Sequence, residues 1–113
     1  MEKLLENSAE IQKYKNMVFE ASPVIGTTHQ IFCDELYKDG VLSGKMKRIV
    51  GIAVAIRTGS LSCLVNQTKN AVELGATKEE IMEAAAVAIA MGGKSTIEYG
   101  ARVIRVLEEL EKW

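Results

Sequence analysis

The sequence predicts an all-helical protein, and three of its features support this prediction. Apolar residues recur at three-to-four-residue spacing, the chain has one proline, and no segment alternates between apolar and polar residues from one hairpin turn to the next. A chain of 113 residues fits one domain, which at this size buries roughly two thirds of the surface of its unfolded chain. We therefore expect a compact domain of six helices that spans residues 1–113.

The first two helices are predicted in the N-terminal third of the chain. The first covers about residues 2–19, and its loose apolar stripe consists of Leu4, Leu5, Ile11, Tyr14 and Val18. The second begins at Ser22, with Pro23 in the first helical position, where a missing N–H group costs nothing. It is expected to end near Lys38, before the turn residues Asp39-Gly40.

The third and fourth helices are predicted in the middle of the chain. Ser43 is a candidate N-cap of the third helix, which runs to about Thr58 and is followed by Gly59. From Ile49 to Ile56 this helix is apolar on every side, which is typical of a helix surrounded by others. The fourth helix is expected from about Ser60 to Leu74, because a glycine follows.

The fifth and sixth helices complete the prediction. Thr77 and Glu80 have the spacing of a capping box, which begins the fifth helix, and Gly92-Gly93 ends it. The sixth helix begins at about Ser95. Its inward-facing residues are expected to be Tyr99, Val103, Ile104, Leu107 and Leu110. Its outward-facing residues are expected to be Glu98, Arg102, Arg105 and Glu109.

Composition and charge argue against several classes of partner. Fourteen basic and fifteen acidic residues are intermixed along the chain, so neither nucleic acid nor an anionic membrane is expected as a partner. The most apolar runs are much shorter than the ~20 residues that span a bilayer. Two cysteines, Cys33 and Cys63, in a chain without a charged-then-apolar leader indicate a reducing compartment, so we expect a cytoplasmic protein.

No cofactor or metal ion is expected. His29 and Cys33 form an i, i+4 pair, but two ligands are too few for a structural zinc site. We expect a partly buried, hydrogen-bonded histidine instead. The third and fifth helices carry so little polar surface that we also expect the chain to associate with copies of itself, which would bury what the other helices leave uncovered.

Cys63 is the candidate for chemistry. If Ser60 caps the fourth helix, Cys63 lies three residues in, where unpaired N–H groups and the helix dipole favour a thiolate. The alternative is inert packing, because free cysteines are among the most buried residues. Gln67 lies four residues further on the same face and can hydrogen-bond a substrate or the sulfur, although an amide cannot accept a proton as a histidine does.

A long central run resembles a known family. The run is "GKMKRIVGIAVAIRTGSLSCLVNQTKNAVELGATKEEIMEAAAVAIAMGG", Gly44 to Gly93, and it is similar throughout to the carboxymuconolactone decarboxylase and alkylhydroperoxidase D family. The resemblance lies in the lysine-rich helix start, in "AVAI-TG", in the cysteine, in "TK-A-E-GAT-EEI-EA" and in "A-AMGG". It implies a compact all-α fold that assembles into homotrimers or homohexamers.

The resemblance also implies which residues occupy the site. Peroxidase-like members have a Cys-x-x-Cys motif, a histidine four residues after the second cysteine and a glutamate twelve before the first. Here Ser60 replaces the first cysteine, Gln67 the histidine and Arg48 the glutamate, while Cys63 matches the second, attacking cysteine. Decarboxylase-like members lack the cysteine pair but keep the histidine. If Arg48 shares the pocket, it would favour the thiolate or hold a carboxylate.

Three hypotheses follow from these residues. The first is peroxide or disulfide chemistry of the peroxiredoxin type through Cys63, as an antioxidant oxidoreductase, with Cys33 or an outside thiol resolving the oxidised sulfur. The second is a cofactor-free enzyme that acts on a small carboxylated lactone, with Arg48 holding the carboxylate and Gln67 polarising a carbonyl. The third is a non-catalytic oligomer that binds a small anionic molecule or a protein partner.

Overall fold

The computed structural model describes residues 3–113 and forms six α-helices within that range. They are α1 (Leu4–Ala21), α2 (Pro23–Leu36), α3 (Gly44–Thr58), α4 (Leu61–Glu73), α5 (Lys78–Gly92) and α6 (Lys94–Glu109). The all-α fold class is confirmed, and each predicted bound lies within two residues of the observed one. The predicted start of the first helix, at residue 2, lies outside the described residues.

The core forms around α3, which packs against α4, α5 and α6. This agrees with the apolar run of α3, in which Ile52 and Ile56 are buried. They pack in one cluster with Leu64 of α4, Ile81 of α5 and Leu107 of α6. The four helices from α3 to α6 therefore form the body of the domain.

Local capping signals set the ends of the core helices as predicted. The Ser43 hydroxyl accepts a hydrogen bond from the backbone N–H of Met46 (3.0 Å) and caps α3. Gly59 ends α3 in the left-handed region, with φ of 74°, where a glycine is favoured. At the start of α5, Thr77 and Glu80 form both hydrogen bonds of the capping box.

The α1–α2 hairpin lies beside this body and is much less buried. The predicted stripe of α1 is mostly wrong, because only Leu4 is buried, whereas Ile11, Tyr14 and Val18 are exposed. Helix α2 packs mainly against α1, and none of its residues is buried. Both helices have apolar residues at helical spacing, but in this chain they are covered by too few neighbouring elements for those residues to become core.

Glu109 was predicted on the outward face of α6, and its position in the structure contradicts this. Its carboxylate accepts hydrogen bonds from the backbone N–H groups of Leu4 (3.0 Å) and Leu5 (3.2 Å), and its side chain is only 17% exposed. The first N–H groups of a helix have no partner within the helix, and the positive end of the dipole favours an anion there. Glu109 therefore joins the end of α6 to the start of α1.

A group of exposed apolar residues lies on α2, where the sequence analysis did not expect one. Val24 is 79% exposed and Phe32 is 64% exposed, and both Ile25 and Ile31 accompany them. On α3 and α5, where uncovered apolar surface was predicted, Val54, Val87 and Met91 are exposed as well. Within residues 3–113, none of the helices combines the length and the apolar character that crossing a membrane requires.

Candidate functional site

Cys63 lies at the start of α4, as predicted. Ser60 occupies the N-cap position with an extended backbone, so Cys63 is the third residue of the helix and its side chain is exposed. The hydroxyl of Ser60 makes no capping hydrogen bond, contrary to the expectation that it would cap α4. The first turn of α4 therefore keeps backbone N–H groups that the Ser60 side chain does not satisfy.

A mainly apolar cavity of about 370 Å³ opens beside Cys63. Apolar side chains from the end of α2, the following loop and α3 form most of its wall, namely Leu36, Leu42, Val50, Val54 and Ala55. Cys63 and Gln67 form the α4 side of the cavity, and Tyr37 lines it at the end of α2. The thiol thus faces a space that suits an apolar group of a few carbons.

A second, more polar groove of about 840 Å³ shares Tyr37, Cys63 and Gln67 with the cavity. Its other residues come from α1, α2, α3 and α4 and include the basic side chains Lys15, Lys38 and Arg48 and one carboxylate, Asp34. The balance of charge along this groove is positive. Cys63 therefore lies between an apolar cavity on one side and a polar, cationic groove on the other.

Arg48, Gln67 and Tyr37 form one contact network at this junction. The Arg48 Nη1 donates to Gln67 Oε1 (3.1 Å), and the guanidinium carbon lies 3.4 Å from the centroid of the Tyr37 ring. The Gln67 Nε2 donates to the Tyr37 hydroxyl (2.7 Å). Because arginine can only donate, it fixes which end of the amide faces it. The tyrosine hydroxyl accepts in this network, and its own hydrogen is left for another acceptor.

Two residues of α3 hold this network in place. Gly51 has no side chain, and a Cβ atom there would lie 2.7 Å from Cδ of Gln67, so the glycine lets the amide lie against α3. The Lys47 ammonium donates to the carbonyl groups of Leu36 (2.8 Å) and Lys38 (2.7 Å) and so neutralises the C-terminal end of α2. These contacts hold Tyr37, the residue between Leu36 and Lys38 in the sequence, against α3 and α4.

The four predicted site residues do not all meet. Arg48, Cys63 and Gln67 line one groove, whereas Ser60 is absent from the walls of both the groove and the cavity. The hydroxyl of Ser62 accepts a hydrogen bond from the Lys15 ammonium (2.7 Å). A cation from α1 is therefore held next to the first turn of α4.

Tyr37 is the main residue that sequence reasoning missed. It follows the last residue of α2, outside the run that carries the family resemblance, and it belongs to no motif. The one available signal was its position four residues after Cys33, which places both on the same helical face. That signal becomes useful only when the structure shows which face of α2 meets the groove.

His29 and Cys33 of α2 also line the polar groove. The Cys33 sulfur is 3.7 Å from His29 Nε2, and the imidazole stacks on Phe19 with 5.2 Å between ring centroids. His29 is exposed, contrary to the expectation of a partly buried histidine, because α2 has few neighbours. Among residues 3–113, no three His, Cys, Asp or Glu side chains are grouped closely enough to hold a metal ion.

One ion pair at the rim of the groove changes the pKa values of both its members. The Lys38 ammonium and the Glu35 carboxylate are 2.8 Å apart. The hydrogen bond and the charge of Glu35 raise the pKa of Lys38, and the same contact lowers the pKa of Glu35. Lys38 is consequently a firmly charged residue at the α2 end of the groove.

Known proteins resemble this chain in sequence and in structure. Uncharacterized protein 4 in the cox locus of Paracoccus denitrificans is 33% identical over 76 residues, which cover 67% of this chain and 68% of that protein. The crystal structure of a carboxymuconolactone decarboxylase family protein from Legionella pneumophila superposes with a TM-score of 0.90 at 26% identity and covers 96% of this chain and 97% of that one.

A second solved structure comes from Thermotoga maritima. It superposes with a TM-score of 0.82 at 25% identity and covers 93% of this chain and 90% of that one. That protein is described as a carboxymuconolactone decarboxylase family member with a possible involvement in antioxidative response. The model of the carboxymuconolactone decarboxylase family matches residues 25–105. These residues include most of α2 and every candidate site residue, and the chain therefore belongs to the carboxymuconolactone decarboxylase family.

Proposed function

We propose that this protein reduces small organic hydroperoxides through the thiol of Cys63. The observation that carries the proposal is the position of this thiol, which is exposed at the first turn of α4 and lines the apolar cavity of about 370 Å³. A helix N-terminus favours the thiolate, which is the nucleophilic form. The antioxidative role suggested for the relative from Thermotoga maritima points in the same direction.

The reaction uses the cavity and the thiol together. The alkyl group of the hydroperoxide occupies the apolar cavity, and the Cys63 thiolate attacks the terminal oxygen. A sulfur–oxygen bond forms, the oxygen–oxygen bond breaks, and the proton lost by the thiol ends on the alkoxide, which leaves as an alcohol. Cys63 becomes a sulfenic acid as the hydroperoxide is reduced. A dithiol reductant then returns the sulfenic acid to the thiol with release of water.

Proton transfer by Gln67 has no part in this proposal. Its amide accepts from Arg48 and donates to Tyr37, and an amide does not titrate. This favours thiol chemistry over decarboxylation, for which the resemblance would supply a histidine at residue 67. A reducing compartment such as the cytoplasm, which keeps thiols free, suits a protein whose Cys33 and Cys63 are both unpaired.

The test is a trapping experiment with a matched control. The reduced protein is treated with cumene hydroperoxide or with hydrogen peroxide in the presence of dimedone, and the labelled peptide is identified by mass spectrometry. We expect dimedone at Cys63, faster labelling with cumene hydroperoxide because the cavity is apolar, and no label in Cys63→Ser. Val54→Asp should remove the preference for the organic hydroperoxide while hydrogen peroxide still reacts. If neither oxidant modifies Cys63, either as a dimedone adduct or as a disulfide, the proposal is refuted.

A further inference from the structure

The second cysteine lines the same groove as the first. Cys33 of α2 and Cys63 of α4 are both free thiols and both line the polar groove of about 840 Å³. A sulfenic acid needs a second thiol to resolve it, and a pair of cysteines in one groove can supply that thiol within the chain. The proposed function so far uses only one of the two.

One side-chain contact joins the end of α2 to α4 across the groove that both cysteines line. The hydrogen bond from Gln67 to the Tyr37 hydroxyl is 2.7 Å long and joins the two helices. Cys33 precedes Tyr37 by four residues, and Cys63 precedes Gln67 by four. A residue four positions away lies on the same helical face at a distance of about 6 Å along the axis. Each cysteine therefore lies one helical turn before a residue of this contact, Cys33 before Tyr37 and Cys63 before Gln67.

Helix α2 has the freedom that closing a disulfide requires. A disulfide needs Cα atoms about 4.4–6.8 Å apart. No residue of α2 is buried, and the helix packs mainly against α1, so a displacement of α2 toward α4 would uncover little apolar surface. At its C-terminal end, Lys47 holds α2 on the body of the domain. The half-buried Cys33 lies one turn before this attached end.

His29 gives Cys33 a proton acceptor. Its Nε2 and Nδ1 lie 3.7 Å and 3.9 Å from the Cys33 sulfur, and the Phe19 ring supports the imidazole. An imidazole nitrogen can accept the proton of a neighbouring thiol, and the thiolate is the form that attacks oxidised sulfur. The pair places a base beside the second thiol, although Gln67 provides none beside the first.

We propose that Cys33 is the resolving cysteine of this protein and that His29 takes its proton; the proposal rests on the proposed function. The Cys33 thiolate attacks the sulfur of the Cys63 sulfenic acid, a sulfur–sulfur bond forms and the sulfur–oxygen bond breaks. The leaving hydroxide takes the proton held by His29 and departs as water. An external dithiol reduces the disulfide by two exchange steps and becomes a disulfide itself, which restores both thiols.

The experiment measures the product of one turnover. The reduced protein receives one equivalent of cumene hydroperoxide, and intact mass and peptide mapping identify the oxidised species. We expect the wild-type protein to lose two hydrogens and to contain a Cys33–Cys63 disulfide within one chain. Cys33→Ser should instead accumulate a Cys63 sulfenic acid that dimedone traps. His29→Gln should slow disulfide formation by on the order of tenfold.

The remaining outcomes test the peroxidase proposal and the role of Cys33 separately. A Cys63 sulfenic acid that persists in the wild-type protein, or a disulfide that joins two chains, would overturn the role of Cys33 and leave the peroxidase proposal intact. If hydroperoxide oxidises neither thiol, the peroxidase proposal fails. Diamide, which oxidises thiol pairs without peroxide, then tests the pair by itself: an intrachain Cys33–Cys63 disulfide supports the inference, and its absence overturns it.

Discussion

Gly51 is expected to control the position of Gln67, and Gly51→Ala tests this. The added Cβ would lie 2.7 Å from Cδ and 2.9 Å from Nε2 of Gln67, so the amide must move away from α3. It then loses its hydrogen bonds to Arg48 and Tyr37. Two such bonds contribute about 1–3 kcal/mol, and alanine within a helix gains about 0.5–1 kcal/mol over glycine. With the midpoint of each range, the net loss of stability should be about 1 kcal/mol.

A double-mutant cycle separates the clash from the effect of alanine on the helix. In a Gln67→Ala background the obstructing atoms are gone, so Gly51→Ala should stabilise the protein by about 0.5–1 kcal/mol, a reversal of sign. The assay is urea denaturation of all four proteins, followed by circular dichroism. Asn66→Ala, at the neighbouring exposed residue of α4, serves as the control and should combine additively with Gly51→Ala. Equal effects of Gly51→Ala in the wild-type and Gln67→Ala backgrounds would refute the reasoning.

Three further predictions concern assembly, capping and ligand binding. Light scattering should report a trimer or hexamer at micromolar concentration, and Phe32→Asp on exposed α2 should lower the mass; a wild-type monomer would contradict this. Thr77→Ala should cost about 1 kcal/mol in the unfolding free energy. The Thr77 N–H and Lys45 lower the pKa of Glu80. The stabilisation by Glu80 is therefore present above the ordinary glutamate pKa and is lost as pH falls through the lowered value. Glu80→Gln should flatten this acid dependence of the unfolding free energy, which urea denaturation between neutral and acid pH measures. Succinate at ten times its dissociation constant should stabilise the protein by about 1.4 kcal/mol, and a melting temperature unchanged by succinate, or raised equally in Arg48→Ala, would exclude an anion site at Arg48.

The parts of the fold that follow from neighbouring residues could be predicted from the sequence. The Thr77–Glu80 capping box and the Gly59 helix end depend on residues within a few positions of each other, and both are present in the structure. Glu109 could not be predicted in this way, because its partners are backbone N–H groups more than a hundred residues earlier in the chain. Its charge suggested solvent, and only the folded chain brings a helix start next to it.

The candidate site also has a part that could be predicted from the sequence and a part that could not. The periodicity of α4 places Cys63 and Gln67 on one face, and both line the cavity. No local pattern could show that the Arg48 guanidinium lies on the Tyr37 ring, because their contact depends on how α3 meets the end of α2. The exposure of α2 was missed for a related reason. Apolar periodicity indicates which face is apolar, but the number of neighbouring helices decides whether that face is buried.

Arg48 and Gln67, which stand where the family resemblance places a glutamate and a histidine, are chemically compatible with each other. A glutamate and a histidine, which the family resemblance places there, could exchange protons, whereas the amide of Gln67 cannot accept a proton from Arg48. Arg48 can only donate, and the amide of Gln67 can accept from it while donating to Tyr37, so the pair keeps α3, α4 and the end of α2 connected. A positive charge at residue 48 would disfavour a protonated histidine at residue 67. Arg48 and Gln67 together form a positioning pair, and in the proposed thiol chemistry the proton acceptor is His29, which lies beside Cys33 in the groove.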